Sequence, residues 1–96
     1  MLLSPAELTQ ALKSLNGWQK SHDDKIFKVY AFSSYLNGLA FVQKVALKAE
    51  QQDHHPDLLL QWGKVTVTLS THDARGITNK DIQMAAESEK IYEELT

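Results

Sequence analysis

Glu50-Gln51-Gln52-Asp53-His54-His55-Pro56 is the stretch from which the fold can be read outward. A long run with apolar residues at helical spacing precedes it, and a proline closes it. Proline pushes the residue before it, here His55, toward an extended backbone. The helix must then stop at about Asp53, leaving His54 and His55 on a corner between that helix and the next element. Two imidazoles on a fixed corner, beside carboxylates at Glu50 and Asp53, read as a site rather than a core.

Upstream, Ser33 or Ser34 can cap the helix that ends there. Its main apolar arc holds Tyr35, Leu39, Phe41, Val42, Val45, Ala46 and Ala49, with a polar stripe of Asn37, Lys44, Lys48 and Gln51. Leu36, Ala40 and Leu47 form a smaller patch beyond that arc. A helix with two apolar faces needs two partners, the sheet for the large arc and another subunit for the small patch, with scattered surface apolar residues as the equal alternative for the patch. Glu50 falls on the border of the main arc and is expected to be partly buried.

Downstream of Pro56, residues 58–62 and 64–71 read as a hairpin with Gly63 in the turn. In its second strand Val65, Val67, Leu69 and Thr71 share one face, and His72 follows at the end. Asp73 to Ile77 is a loop. Thr78 through Asp81 then opens a last helix with a carboxylate in its first turn. Met84, Ser88, Ile91 and Leu95 mark its stripe, with Ala85 and Tyr92 beside it.

Toward the N-terminus, residues 26–32 form a strand that alternates Ile26, Lys28 and Tyr30 against Phe27, Val29 and Ala31. A short turn at Asp23-Asp24 joins it to a strand over residues 18–22, so the pair is antiparallel. The first helix starts at Ser4-Pro5-Ala6-Glu7 with a capping box, and Leu3 and Leu8 stand at staple positions. Asn16-Gly17 is expected to end it, with Gly17 as a left-handed cap. The order α-β-β-α-β-β-α predicts a two-layer α+β domain, a four-stranded antiparallel sheet with three helices on one face.

The 96 residues argue for one domain spanning 1–96. A net charge of -2 gives no field for nucleic acid or an anionic membrane. The chain has no cysteine, which excludes disulfides, thiolate nucleophiles and cysteine-based zinc sites. The start lacks the basic and apolar regions of a signal peptide, and no apolar run approaches ~20 residues. A cytoplasmic, membrane-free protein is the expectation.

Histidine changes charge near neutral pH and suits proton transfer. His22, in the first hairpin, reads as surface filler, whereas His54 and His55, next to a proline, read equally as functional or as surface residues. Three histidines can hold a catalytic zinc. Adjacent residues on an extended backbone diverge, however, and the helical H-x-x-x-H pattern is missing, so no metal is expected. There is no G-x-S-x-G elbow and no glycine-rich phosphate loop. Asp81 also has a structural role open to it at a helix start, and Trp18 and Trp62 read as core or rim aromatics.

Taken together, Glu50, His54-His55-Pro56, Trp62, His72 and Asp81 resemble, in type and spacing, the motif of the pterin-4a-carbinolamine dehydratase family. The likeness extends over Gly17-Trp18, Ile26-Phe27-Lys28, Val45-Ala46-Leu47, Lys64-Val65, Leu69 to Asp73 and Gly76-Ile77-Thr78, nearly the whole chain. Arg75 departs from the family form, in which a small residue or glycine is frequent before Gly76, and its side chain is expected to face solvent.

The resemblance implies a fold that agrees with the order above. It also implies dehydration of 4a-hydroxytetrahydropterin to quinonoid dihydropterin, which recycles the cofactor of aromatic amino acid hydroxylases. The implied catalytic residues are His54, His55 and His72, with His54 and His72 as the main proton-transfer groups. Glu50, Asp53, Asp81, Trp18 and Thr71 are the implied binding or orienting set. No cofactor is implied, the partner is the pterin itself, and a homodimer or homotetramer forms through sheet edges and the second helix. The alternative within the same fold is a non-catalytic pterin-binding or coactivator-type protein.

Overall fold

The computed structural model describes all residues, Met1–Thr96. Three helices and four strands follow in the order α1 (Pro5–Lys13), β1 (Gln19–Lys20), β2 (Ile26–Ala31), α2 (Tyr35–Gln52), β3 (Asp57–Gln61), β4 (Lys64–Leu69) and α3 (Asn79–Leu95), with a single 3-10 turn (His72–Ala74) before α3. The sheet is antiparallel throughout, in the order β1-β2-β4-β3. This is the predicted α+β architecture.

Each helix starts where its capping chemistry directs. Ser4 and Glu7 form a reciprocal box at α1, and Thr78 and Asp81 do the same at α3. The Ser34 hydroxyl accepts from the Asn37 N–H at α2. The core joins one face of the sheet to all three helical regions. Ile26, Tyr30, Val65, Val67 and Leu69 meet Leu8 of α1, Phe41, Val45 and Ala49 of α2, and Met84, Ala85 and Ile91 of α3. A methyl group on Gly38 would lie 3.0 Å from Leu60 Cδ1 and 3.4 Å from Val65 Cγ2, so glycine lets α2 settle on the β3–β4 hairpin.

Several boundaries differ from expectation. The first helix ends at Lys13, not at Asn16-Gly17. The Ser14 backbone N–H and hydroxyl both turn back onto the Ala11 carbonyl, at 3.2 and 2.8 Å, and close the helix early. Gly17 is left-handed (φ +80°), but it serves the bend into β1. The first strand shortens to Gln19–Lys20, because Trp18 turns into the core and Ser21 engages the Asp23 and Lys25 turn. In the last strand the ladder stops at Leu69, and Thr71 instead bridges to Gly76.

The buried arc of α2 is narrower than predicted. Gly38, Phe41, Val45 and Ala49 are buried, whereas Tyr35 and Ala46 are exposed. The smaller patch is open, with Leu36 at 71% and Leu47 at 65% exposure. The Glu50 side chain is 73% exposed rather than partly buried, since α2 turns that border toward solvent. Leu95, at the end of α3, is also exposed.

Candidate functional site

The register brings the ends of three strands together. Ile26 pairs with Leu69, and Asp57 with Thr68, so β2 and β3 begin where β4 ends. At that end α2 stops, the 3-10 turn runs, and α3 starts.

The corner after α2 is built by its last turn. Asp53 adopts a left-handed backbone (φ 50°, ψ 44°), which non-glycine residues seldom do and aspartate tolerates better than most. Its N–H donates to the Glu50 carbonyl at 3.3 Å, and the His54 N–H donates to the Ala49 carbonyl at 3.1 Å. This pair of bonds is a Schellman cap, in which the second residue past the helix usually packs an apolar side chain back onto it. His54 fills that inward position, and His55 is left to point out.

His54 is 9% exposed, and Asp81 is wholly buried. The His54 Nε2 and Asp81 Oδ1 atoms are 2.6 Å apart. The other oxygen of Asp81 accepts from the Thr71 hydroxyl at 2.8 Å and from the Thr78 N–H at 2.9 Å. The Thr71 and Thr78 hydroxyls are themselves 2.7 Å apart. Asp81 therefore caps α3 and fixes an imidazole at the same time. No buried polar side-chain atom lacks a partner, and His54 Nδ1 makes no hydrogen bond, so Nδ1 reaches the surface. With Nε2–H donating to Asp81, Nδ1 is left as a free proton acceptor.

His55 is exposed, and its Nε2 pairs with Glu50 across the corner. His72 opens the 3-10 turn, where its carbonyl accepts from the Arg75 N–H at 3.1 Å and the Thr71–Gly76 bridge closes the loop. His55 and His72 line one cleft of about 240 Å³, with Lys25, Asp57, Thr68 and Ser70. His54 is not among the residues of that cleft. Closed pockets for drug-sized ligands span roughly 300–1,000 Å³, so this cleft falls below that range.

Two predicted residues stand apart from this group. The Asp53 side chain is exposed at the helix end and makes no hydrogen bond. Trp18 is buried, where its Nε1–H donates to Glu89 at 3.1 Å and its ring meets Tyr30 edge-on. Lys28, at 2.5 Å, and the Tyr30 hydroxyl, at 2.7 Å, donate to the same Glu89 oxygen. Burial, and then Glu89, push the Tyr30 hydroxyl far above its ordinary range. Trp62, the aromatic of the motif, is exposed at the opposite end of the β3–β4 hairpin from Asp57.

Sequence reasoning missed Lys25, Asp57, Thr68 and Ser70 as cleft residues. The alternation of β4 could have placed Thr68 and Ser70 on the face away from the core, and the hairpin register pairs Asp57 with Thr68. Nothing local singles out Lys25. No group of three or more His, Cys, Asp or Glu side chains converges as a metal cage requires. No helix is long and apolar enough to cross a membrane.

Comparisons with known proteins bear on family and fold. The sequence profile of the family described as pterin 4 alpha carbinolamine dehydratase matches residues 1–91. A protein of Thermosynechococcus vestitus, provisionally named pterin-4-alpha-carbinolamine dehydratase, is 46% identical over 83 residues, covering 86% of each chain. One from Roseiflexus castenholzii with the same provisional name is 43% identical over 90 residues, covering 94% of this chain and 96% of the relative. The crystal structure of a transcriptional coactivator/pterin dehydratase from Brucella melitensis superposes with a TM-score of 0.93 at 35% identity, covering 96% of this chain and 99% of that one. A pterin dehydratase-like RuBisCO assembly factor of the alpha-carboxysome shares the fold, with a TM-score of 0.69 at 23% identity over 80% of this chain and 90% of that one. On the strength of the match over residues 1–91, the chain belongs to the pterin-4a-carbinolamine dehydratase family.

Proposed function

We propose that this chain is an active dehydratase, converting 4a-hydroxytetrahydropterin to quinonoid dihydropterin and water. The observation that carries the reading is the gathering of three imidazoles at one end of the sheet, one anchored on a buried carboxylate and two beside a common cleft. In the reaction the C4a–O bond breaks and the hydroxyl leaves as water after receiving a proton. A ring nitrogen loses its proton, and its electrons form the new C=N bond. No electrons leave the substrate, so proton transfer is the only chemistry required.

In this reading His72 and His54 remain the principal proton-transfer groups. His54 is suited to accept a proton at Nδ1, because Asp81 steadies the opposite nitrogen and stabilises the charged ring. His72 reaches the ligand across the cleft. His55, backed by Glu50, orients the ring from the same wall. Alanine at His54 or at His72 should lower the dehydration rate by about 10²–10⁴-fold. A double variant that dehydrates the carbinolamine at the parental rate would refute the assignment.

Cytoplasmic cofactor recycling beside an aromatic amino acid hydroxylase fits this chemistry. The reading includes self-association through the open α2 patch and a sheet edge, as a homodimer or homotetramer. The Brucella melitensis relative is named as a coactivator as well as a dehydratase. A chain that bound pterin or a protein partner without dehydrating the carbinolamine would have that role instead.

A further inference from the structure

His72 stands between two clefts. Beyond the one it shares with His55 lies a second, of about 340 Å³, and Lys25, Ser70 and His72 belong to both. The second cleft is lined by no hydrophobic residue and contains Asp23, Asp24, Thr71, Arg75 and Gly76. A pterin bicycle seated against His55 and His72 has this space next to it for the substituent it carries.

The second cleft carries two carboxylates and two cations, but they are not paired with one another one to one. Asp23 faces Lys25 at 3.9 Å and accepts from the Ser21 hydroxyl. Asp24 faces Lys20 at 3.4 Å. Arg75 has no carboxylate partner and makes no side-chain hydrogen bond. Its backbone is nevertheless closely held. It is left-handed (φ 59°, ψ 42°), its N–H is tied to the His72 carbonyl, and the Thr71–Gly76 bridge closes the loop around it. An unpaired guanidinium, tethered three residues from His72, offers a forked set of donors that matches an oxyanion.

We propose that Arg75 determines substrate specificity, favouring a pterin whose side chain ends in an oxyanion, either a phosphate ester or a carboxylate. This inference rests on the dehydratase reading above and names the substrate class of the same site.

The test compares three carbinolamines generated in situ, with a neutral hydroxylated, a phosphorylated and a glutamylated side chain, using the full chain and its Arg75→Ala and Arg75→Lys variants. The wild type should prefer an anionic substrate. Arg75→Ala should cut the ratio of kcat/KM for anionic over neutral substrate by roughly two- to fivefold, the size expected of a solvated ion pair. The change should lie in KM and shrink as salt is added, and Arg75→Lys should recover part of it. A loss confined to the phosphorylated or to the glutamylated substrate identifies which oxyanion is read. A ratio unchanged in Arg75→Ala, or a wild-type preference for the neutral side chain, overturns the proposal.

If the wild type turns over none of the three, the dehydratase reading fails separately. Fluorescence titration with the corresponding unreactive dihydropterins then decides the role of Arg75. Weaker binding of the anionic forms alone in Arg75→Ala supports it, and equal binding of all three overturns it.

Discussion

A carboxylate removed from water must have its oxygens taken up by donors, and Asp81 meets that demand with His54, Thr71 and the Thr78 N–H. Asparagine at 81 would keep the shape but turn one acceptor into a donor, facing either an imidazole N–H or a backbone N–H. Asp81→Asn should therefore cost about 1–3 kcal/mol of stability, measured by urea denaturation. It should also lower kcat by about ten- to a hundredfold, as loss of an orienting partner does. Parental values of both would mean that the pairing is incidental. The sequence offers two roles for this residue, helix cap and partner of a histidine, as alternatives. The fold makes them one, because the single carboxylate has an oxygen for each. Asp53 shows the opposite outcome: its place beside the histidines reads as a rim role, whereas its visible task is to turn the backbone.

Among the elements, capping chemistry was legible because it is local. Ser4 with Glu7, Ser34, and Thr78 with Asp81 each act within three residues. The end of the first helix was not, because the Ser14 hydroxyl competes for the Ala11 carbonyl that a continuing helix would have given to the Leu15 N–H. The joint between sheet and α3 was also hidden. Trp18, Lys28 and Tyr30 meet Glu89 across 59 to 71 residues, and no spacing announces such a contact. That joint makes stability depend on alkaline pH. The Tyr30 hydroxyl is raised in the fold above its unfolded value of about 10, so folding favours its neutral form. The contribution is fully present below about pH 10 and is lost as pH rises above it. Denaturant midpoints followed from pH 8 to 11.5 should fall steeply for the parent and less steeply for Tyr30→Phe. Parallel curves would show that Tyr30 does not carry the effect.

At the level of the molecule, the layer order followed from alternation in β4, periodicity in α2 and the proline after His55. The convergence of the site did not, because it depends on strand register, which sets Ile26 beside Leu69 and Asp57 beside Thr68. The family motif marked His54, His55, His72 and Asp81. It gave no sign that Lys25 shares a cleft with two of them. The apolar residues left open on α2 have their consequence at this scale. If they hold subunits together, Leu36→Glu with Leu47→Glu should reduce the mass found by light scattering at micromolar concentration while leaving the far-ultraviolet circular dichroism intact. A parent that already sediments as a monomer would remove that role from the patch.

The amide of His54 is hydrogen-bonded to the closing turn of α2, so the ring's aim depends on that turn staying wound. Helix ends fray well below the melting temperature. If His54 is the proton acceptor proposed above, warming should misdirect it while the core is still intact, and dehydration should fade at temperatures where spectroscopy still finds a folded protein.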